Sequence, residues 1–158
     1  MVLLKKLFEF LKNKFLYGFF VKLVNVNFLD ENASIETGTR IIGRNSSSIV
    51  IGYNFYCNCY CHIFGDVVIG NDVMIGPKTI IWSRNHKFHR GEIFNTTGHE
   101  NKDIYIGNNV WIGAGCIILP GARIPDNCVV AAGSIVTKAF YDEHVVLAGN
   151  PAKEIKRI

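Results

Sequence analysis

Stepping by six from Ile51 meets Ile51, Cys57, Ile63, Ile69, Ile75 and Ile81. Stepping by six from Ile106 meets Ile106, Ile112, Ile118, Ile124, Val130 and Val136. Eleven of these twelve positions are Ile or Val, and the twelfth is the small apolar Cys57. A second set lies four residues further on: Phe55, Cys61, Val67, Val73 and Thr79, then Val110, Cys116, Ala122, Cys128 and Ser134. A fixed period of this kind is the signature of a solenoid. Six residues are too few for a helical repeat. They fit one flat face of a β-coil, with an inward aliphatic residue on a short strand and then a tight corner. Three such faces close a triangular coil of roughly 18 residues, and inward residues stack from coil to coil into one apolar column. A β-sandwich also alternates inward and outward, but its strands do not keep one six-residue phase over a dozen positions.

Glycine follows the aliphatic position at Gly52, Gly70, Gly76, Gly107 and Gly113. Glycine and asparagine supply the positive φ values that corners need and β-branched residues resist. The 158 residues suit one domain with a real core. A net charge of +4 with no long Lys/Arg block gives no reason to expect nucleic acid. A small anionic ligand or an anionic membrane surface is enough to account for it.

The two ladders are out of phase. Ile81 and Ile106 are 25 residues apart, one more than four sixes. The polar segment 83–103 between them, which begins in WSRNHKFHR (Trp82 to Arg90), is therefore expected to loop out from the solenoid wall. Long loops on rigid scaffolds commonly carry function. The segment holds His86, His89 and His99. An imidazole with its ordinary pKa of about 6.5 suits a general base at neutral pH.

The stretch IGNNVWIGAGCIILPGARIPDNCVVAAGSIVTKAF, then AGNPAKEIKRI, with IGYNFYCN upstream and the NH-containing loop, resembles the hexapeptide-repeat O-acetyltransferases. It is most similar to the galactoside and maltose acetyltransferases, over roughly residues 42–158. The resemblance implies a left-handed parallel β-helix, acetyl-CoA as donor, no metal, and a homotrimer with active sites between subunits. It places His86 as the catalytic base, directly after Asn85, with His89 and His99 as rivals. It sets Trp111 near the thioester, Ala114 and Ala132 along the pantetheine arm, Thr137 and Lys138 near the phosphates, and Lys156 at the adenosine phosphate. Asn58 and Asn85 are expected on the acceptor side, with an asparagine ladder as the competing role for Asn58. Glu92 and Glu100 are both within sequence reach to orient His86. The acceptor expected is a saccharide hydroxyl, such as that of a surface-polysaccharide precursor. An amino-sugar N-acetyltransferase and an antibiotic-modifying enzyme are alternatives. Another is a metal-dependent lyase like the γ-type carbonic anhydrases, for which His62, His86 and His89 are the nominees. A catalytically silent scaffold is the last.

CNCYC (Cys57 to Cys61) looks like a metal motif, but the six-residue phase turns Cys57 and Cys61 inward as core filler. The odd count of five cysteines and the lack of a cleavable signal lead to an expectation of reduced thiols and a cytoplasmic protein. The expected division is an amphipathic helix over 1–25 and a β-helix over 26–158, with a C-terminal tail over about 140–158. Residues 3, 4, 7, 8, 11 and 15 are apolar at helical spacing, with Lys5, Glu9 and Lys12 opposite. Such a helix either docks on the solenoid or a neighbouring subunit, or makes peripheral contact with the inner face of an anionic membrane.

Overall fold

The computed structural model describes residues 21–158, and they form a parallel β-helix. The expected helix lies outside the described residues as far as residue 20. Its last few positions are strand: Lys22–Val24 pairs in parallel with Arg40–Gly43, so the coil begins before residue 26. No helix among the described residues is long and apolar enough to cross a membrane.

Three sheets form the faces. The first runs Lys22–Val24, Arg40–Gly43, His62–Gly65, Ile80–Trp82, Ile117–Ile118, Ile135–Val136. The second runs Val26–Phe28, Ile49–Ile51, Val67–Ile69, Ile104–Ile106, Arg123–Ile124. The third runs Ser34–Ile35, Tyr56–Cys57, Met74–Ile75, Trp111–Ile112, Val129–Val130, Val145–Gly149, and then Ala152–Arg157. The pairings are parallel except the last, which is antiparallel, so the C-terminal tail is a hairpin that extends the third sheet. Every residue of both six-residue sets is at most 2% exposed. Ile51, Ile69, Ile106 and Ile124 stack in one register, and Ile63, Ile81, Ile118 and Val136 in another.

The corners are held by side chains as well as by backbone. Asn54, Asp72, Asn109 and Asn127 stand at the corner from second to third sheet with φ of 55, 58, 50 and 59°. Asn54 Nδ2 donates to Asp72 Oδ1 at 2.8 Å, and Asn109 Nδ2 to Asn127 Oδ1 at 2.9 Å. Short amide and carboxylate side chains tolerate this left-handed conformation because they bond locally.

The corner from third to first sheet is different, because its inward side chains are donors. Thr39 Oγ1 reaches the Asn58 carbonyl at 2.9 Å and Thr79 Oγ1 the Gly113 carbonyl at 3.0 Å. Cys61 Sγ reaches Gly76 O and Cys116 Sγ reaches Ala131 O, both at 3.2 Å, while Ser134 Oγ reaches Ala131 O at 2.6 Å. Cys61 and Cys116 are thus buried core residues, as the phase requires, but they also satisfy buried carbonyls. Burial pushes the Cys116 and Cys128 thiols up from their ordinary pKa, which leaves them poor thiolates.

Both insertions leave from the corner between first and second sheets. Ile41 pairs with Ile63, 22 positions on instead of 18, because Arg44–Ser48 adds four residues. Ile69 pairs with Ile106, 37 positions on, so the loop at 83–103 adds 19. Between the two insertions lies the tight turn Gly65–Asp66. Asp66 N donates to Ser83 Oγ at 2.7 Å, and Arg44 Nε meets Asp66 Oδ2 at 2.7 Å. Gly65 has φ +99°, and a Cβ there would fall 2.0 Å from Ser83 Oγ. Only glycine fits.

Candidate active site

Paired positions on the third sheet place Tyr56, Met74, Trp111, Val129, Val146 and Lys156 in one row. Met74 and Trp111 are half exposed, at 50% and 53%. Beside this row lies an open groove of about 650 Å³, lined by Tyr56, Asn58, Met74, Trp111, Ala114 and Ala132. Gly76 and Gly113 complete its floor. A Cβ on Gly113 would sit 2.6 Å from Ala132 N, so successive coils touch there backbone to backbone. The floor carbonyls of Asn58, Gly76, Gly113 and Ala131 are those capped from inside by Thr39, Cys61, Thr79, Cys116 and Ser134.

Trp111, Ala114, Ala132 and Asn58, separated by up to 74 residues, therefore line one groove. Asn58 is not part of an asparagine ladder. Its Oδ1 accepts from Cys59 N at 2.7 Å, which leaves the NH₂ end for the groove. Lys156 ends the row, three strands from Trp111, or roughly 14 Å at the usual strand spacing. Thr137 is exposed and lines neither this groove nor the neighbouring hollow. Lys138 lies in that hollow with Phe140, Tyr141, Asp142, Lys153 and Glu154, its Nζ 5.3 Å from the Phe140 ring centroid. Tyr56, Met74 and Val129 were not anticipated. Their signal was available in the outward position preceding each inward Cys57, Ile75 and Val130.

The loop at 83–103 is ordered as a hairpin. Arg84–His86 pairs antiparallel with His99–Asn101, and a short 3-10 turn, Phe94–Thr96, lies beyond it. Its base is tied by Ser83 N to Phe64 O at 3.1 Å and Lys102 N to Ser83 O at 2.9 Å. Trp82, the residue before its exit, stacks on Phe64 with centroids 4.4 Å apart. Thr97 Oγ1 donates to Lys87 O further out. His86 is exposed and borders a hollow with Phe88, Phe94 and Asn95. Alternation along the strands puts Arg84, His86, His99 and Asn101 on one face and Asn85 and Glu100 on the other. Asn85 is therefore next to His86 in sequence but faces away from it. Glu100 also faces away and pairs with Lys102 at 2.9 Å. Glu92 sits in the tip turn, its N–H on His89 O. Neither carboxylate orients His86 within one chain.

His62 lies on the first sheet between Arg40 and Ile80, and His89 lies beyond the hairpin strands. Among the described residues no three His, Cys, Asp or Glu side chains gather as a metal site. The hairpin leaves from the corner opposite the third sheet, and the hollow beside His86 shares no lining residue with the groove.

Residues 103–138 match the family model described as bacterial transferase hexapeptide (six repeats). The chain is 43% identical over 130 residues to galactoside O-acetyltransferase of Escherichia coli K12, spanning 81% of this chain but only 62% of that protein. A maltose O-acetyltransferase structure from Clostridium difficile 630 superposes with a TM-score of 0.75 at 33% identity, covering 86% of this chain and 71% of that one. A galactoside acetyltransferase in complex with coenzyme A gives 0.72 at 37% identity, covering 85% and 65%. With its six-residue rungs in register through both ladders and these likenesses spanning most of its length, the chain belongs to the hexapeptide-repeat acetyltransferase family.

Proposed function

We propose that this protein is an acetyl-CoA-dependent O-acetyltransferase acting on a saccharide hydroxyl. The observation that carries the reading is the groove, which brings Trp111, Ala114 and Ala132 together on one outer face with Lys156 at the end of its row. A narrow chain such as pantetheine can lie against small residues there and bond to backbone groups. The basic end suits a phosphate. The relatives' names supply the rest: one structure is a complex with coenzyme A, and both relatives are named for sugars.

The chemistry needs one proton relay. A ring nitrogen of His86 takes the proton from the acceptor hydroxyl as its oxygen attacks the acetyl carbonyl carbon. The C–S bond then breaks, and the imidazolium returns the proton to the departing thiolate. The ester and free coenzyme A leave, and His86 is neutral again. Because the hairpin leaves from the corner opposite the third sheet and its hollow is separate from the groove, the reading has a second copy bring its hairpin to the groove. A homotrimer with sites between subunits meets that requirement.

The test is a thermal-shift titration with acetyl-CoA, with dephospho-CoA as control. Saturation at a hundredfold above Kd stabilises by about 2.7 kcal/mol in the one-site case. A shift that weakens without the 3′-phosphate, followed by His86-dependent coenzyme A release with sugar acceptors, is the expected result. Folded protein with no shift would sink the reading.

A further inference from the structure

His86 has no carboxylate partner on its own face of the hairpin, but it does have a ring. His99 stands directly across the antiparallel pair, with ring centroids 4.2 Å apart and planes tilted by 43°. Cross-strand neighbours on one face of a hairpin restrict each other's rotamers, and aromatic pairs do so best. The hydrogen bonds of Lys87 N to Gly98 O at 3.1 Å and of Thr97 Oγ1 to Lys87 O hold the strands together just beyond the pair. We propose that His99 is a positioning residue: its ring fixes the His86 imidazole in the orientation from which it acts as base. This rests on the reading of His86 given above.

The charges on that face are consistent with a neutral partner. The titratable or charged groups facing His86 are His99 across the pair and Arg84 two residues before it. Asn101 completes the face, and Lys87, Glu100 and Lys102 fall on the other. The bordering tip residues Phe88, Phe94 and Asn95 carry no charge. Desolvation, the Arg84 guanidinium and the His86 ring all hold the His99 pKa below the usual imidazole value. A neutral His99 can pack on His86 in both of its protonation states, and it adds no cation beyond Arg84 when His86 takes its proton.

The experiment uses the full chain with acetyl-CoA and methyl β-galactoside, together with an NMR titration of the imidazole groups. His99→Ala should lower kcat on the order of 100-fold with the acetyl-CoA KM unchanged, the size expected for a misplaced catalytic group. His99→Phe, which keeps a ring but cannot titrate, should restore most of that loss. His99→Lys should move the His86 midpoint to lower pH, because a fixed cation then stands beside it. Full kcat in His99→Ala, or an unmoved His86 midpoint in folded His99→Lys, overturns the proposal. If His86→Ala is inactive in the same assay, the role of His86 survives that failure; if His86→Ala keeps its activity, that role falls first. Should methyl β-galactoside not be acetylated, the His86 midpoint in His99→Lys decides alone.

Discussion

The Thr79 hydroxyl donates to the Gly113 carbonyl one coil further on, at 3.0 Å, from a side chain with no solvent exposure. Thr79→Val keeps the shape and removes the donor, so Gly113 O is left buried without its partner. The expected cost is about 1–3 kcal/mol. Urea unfolding of both proteins would show it as a lower midpoint at an unchanged m-value.

Gly113 itself has no room for a methyl group. A Cβ would approach Ala132 N to 2.6 Å, and backbone cannot step aside as a side-chain tip can. Gly113→Ala should destabilise by about 1–3 kcal/mol and weaken acetyl-CoA binding, since the groove floor must deform. Gly98→Ala is the useful contrast. Its added Cβ meets nothing within 4 Å, although its φ of +76° still imposes some strain.

Trp111 should act in the opposite sense, on the ligand and not on the fold. It is half exposed, so Trp111→Ala should change the melting temperature little while raising the acetyl-CoA KM. Loss of fold in this variant would mean that the row is structural.

A complementation assay addresses the two-sided site. His86→Ala removes the base, and Ala132→Trp fills the groove. Each alone should be nearly inactive. Co-refolded mixtures should recover activity, because a hybrid can join an intact hairpin from one copy to an intact groove from another. Mixed assemblies with no recovery would place the whole site in a single subunit.

The pH response should carry the mark of Asp126. Its side chain accepts from Asn108 Nδ2 at 3.0 Å and from Asn108 N at 2.8 Å, and these bonds hold its pKa below the ordinary carboxylate value. A carboxyl lowered in the folded state adds stability that is present above its unfolded pKa, near 3.9, and fades as pH falls through the folded value. Asp126→Asn should therefore flatten the acid limb of the stability curve below about pH 4. An unchanged acid limb would assign the sensitivity to other carboxyls.

Much of this was legible because the repeat is enforced by geometry. Ile69 must stack on Ile51, so its spacing in the chain is visible. The first coils were harder to read, since the four extra residues at Arg44–Ser48 shift the phase before Ile51 and hide Ile35 and Ile41 as core. Thr79 and Ser134 read as small residues. The role of Thr79 as a donor depends on a carbonyl 34 residues away, which no local pattern reveals; that of Ser134 is a contact only three residues back. Groove residues such as Trp111 were accessible through the family likeness. The pairing of His86 with His99 was not, because it depends on the register of a hairpin whose strands have 12 residues between them.

The row from Met74 through Trp111, Val129 and Val146 to Lys156 advances one strand at a time, roughly 4.8 Å per step. The solenoid is in this sense a ruler. The span between Trp111 and Lys156 can change only in whole rungs, so inserting one extra coil between them would lengthen it by a single fixed increment. On the reading proposed above, a donor held at both marks would miss one of them then. If the proposed donor site holds, the length of ligand that fits is set by the number of coils between its two ends.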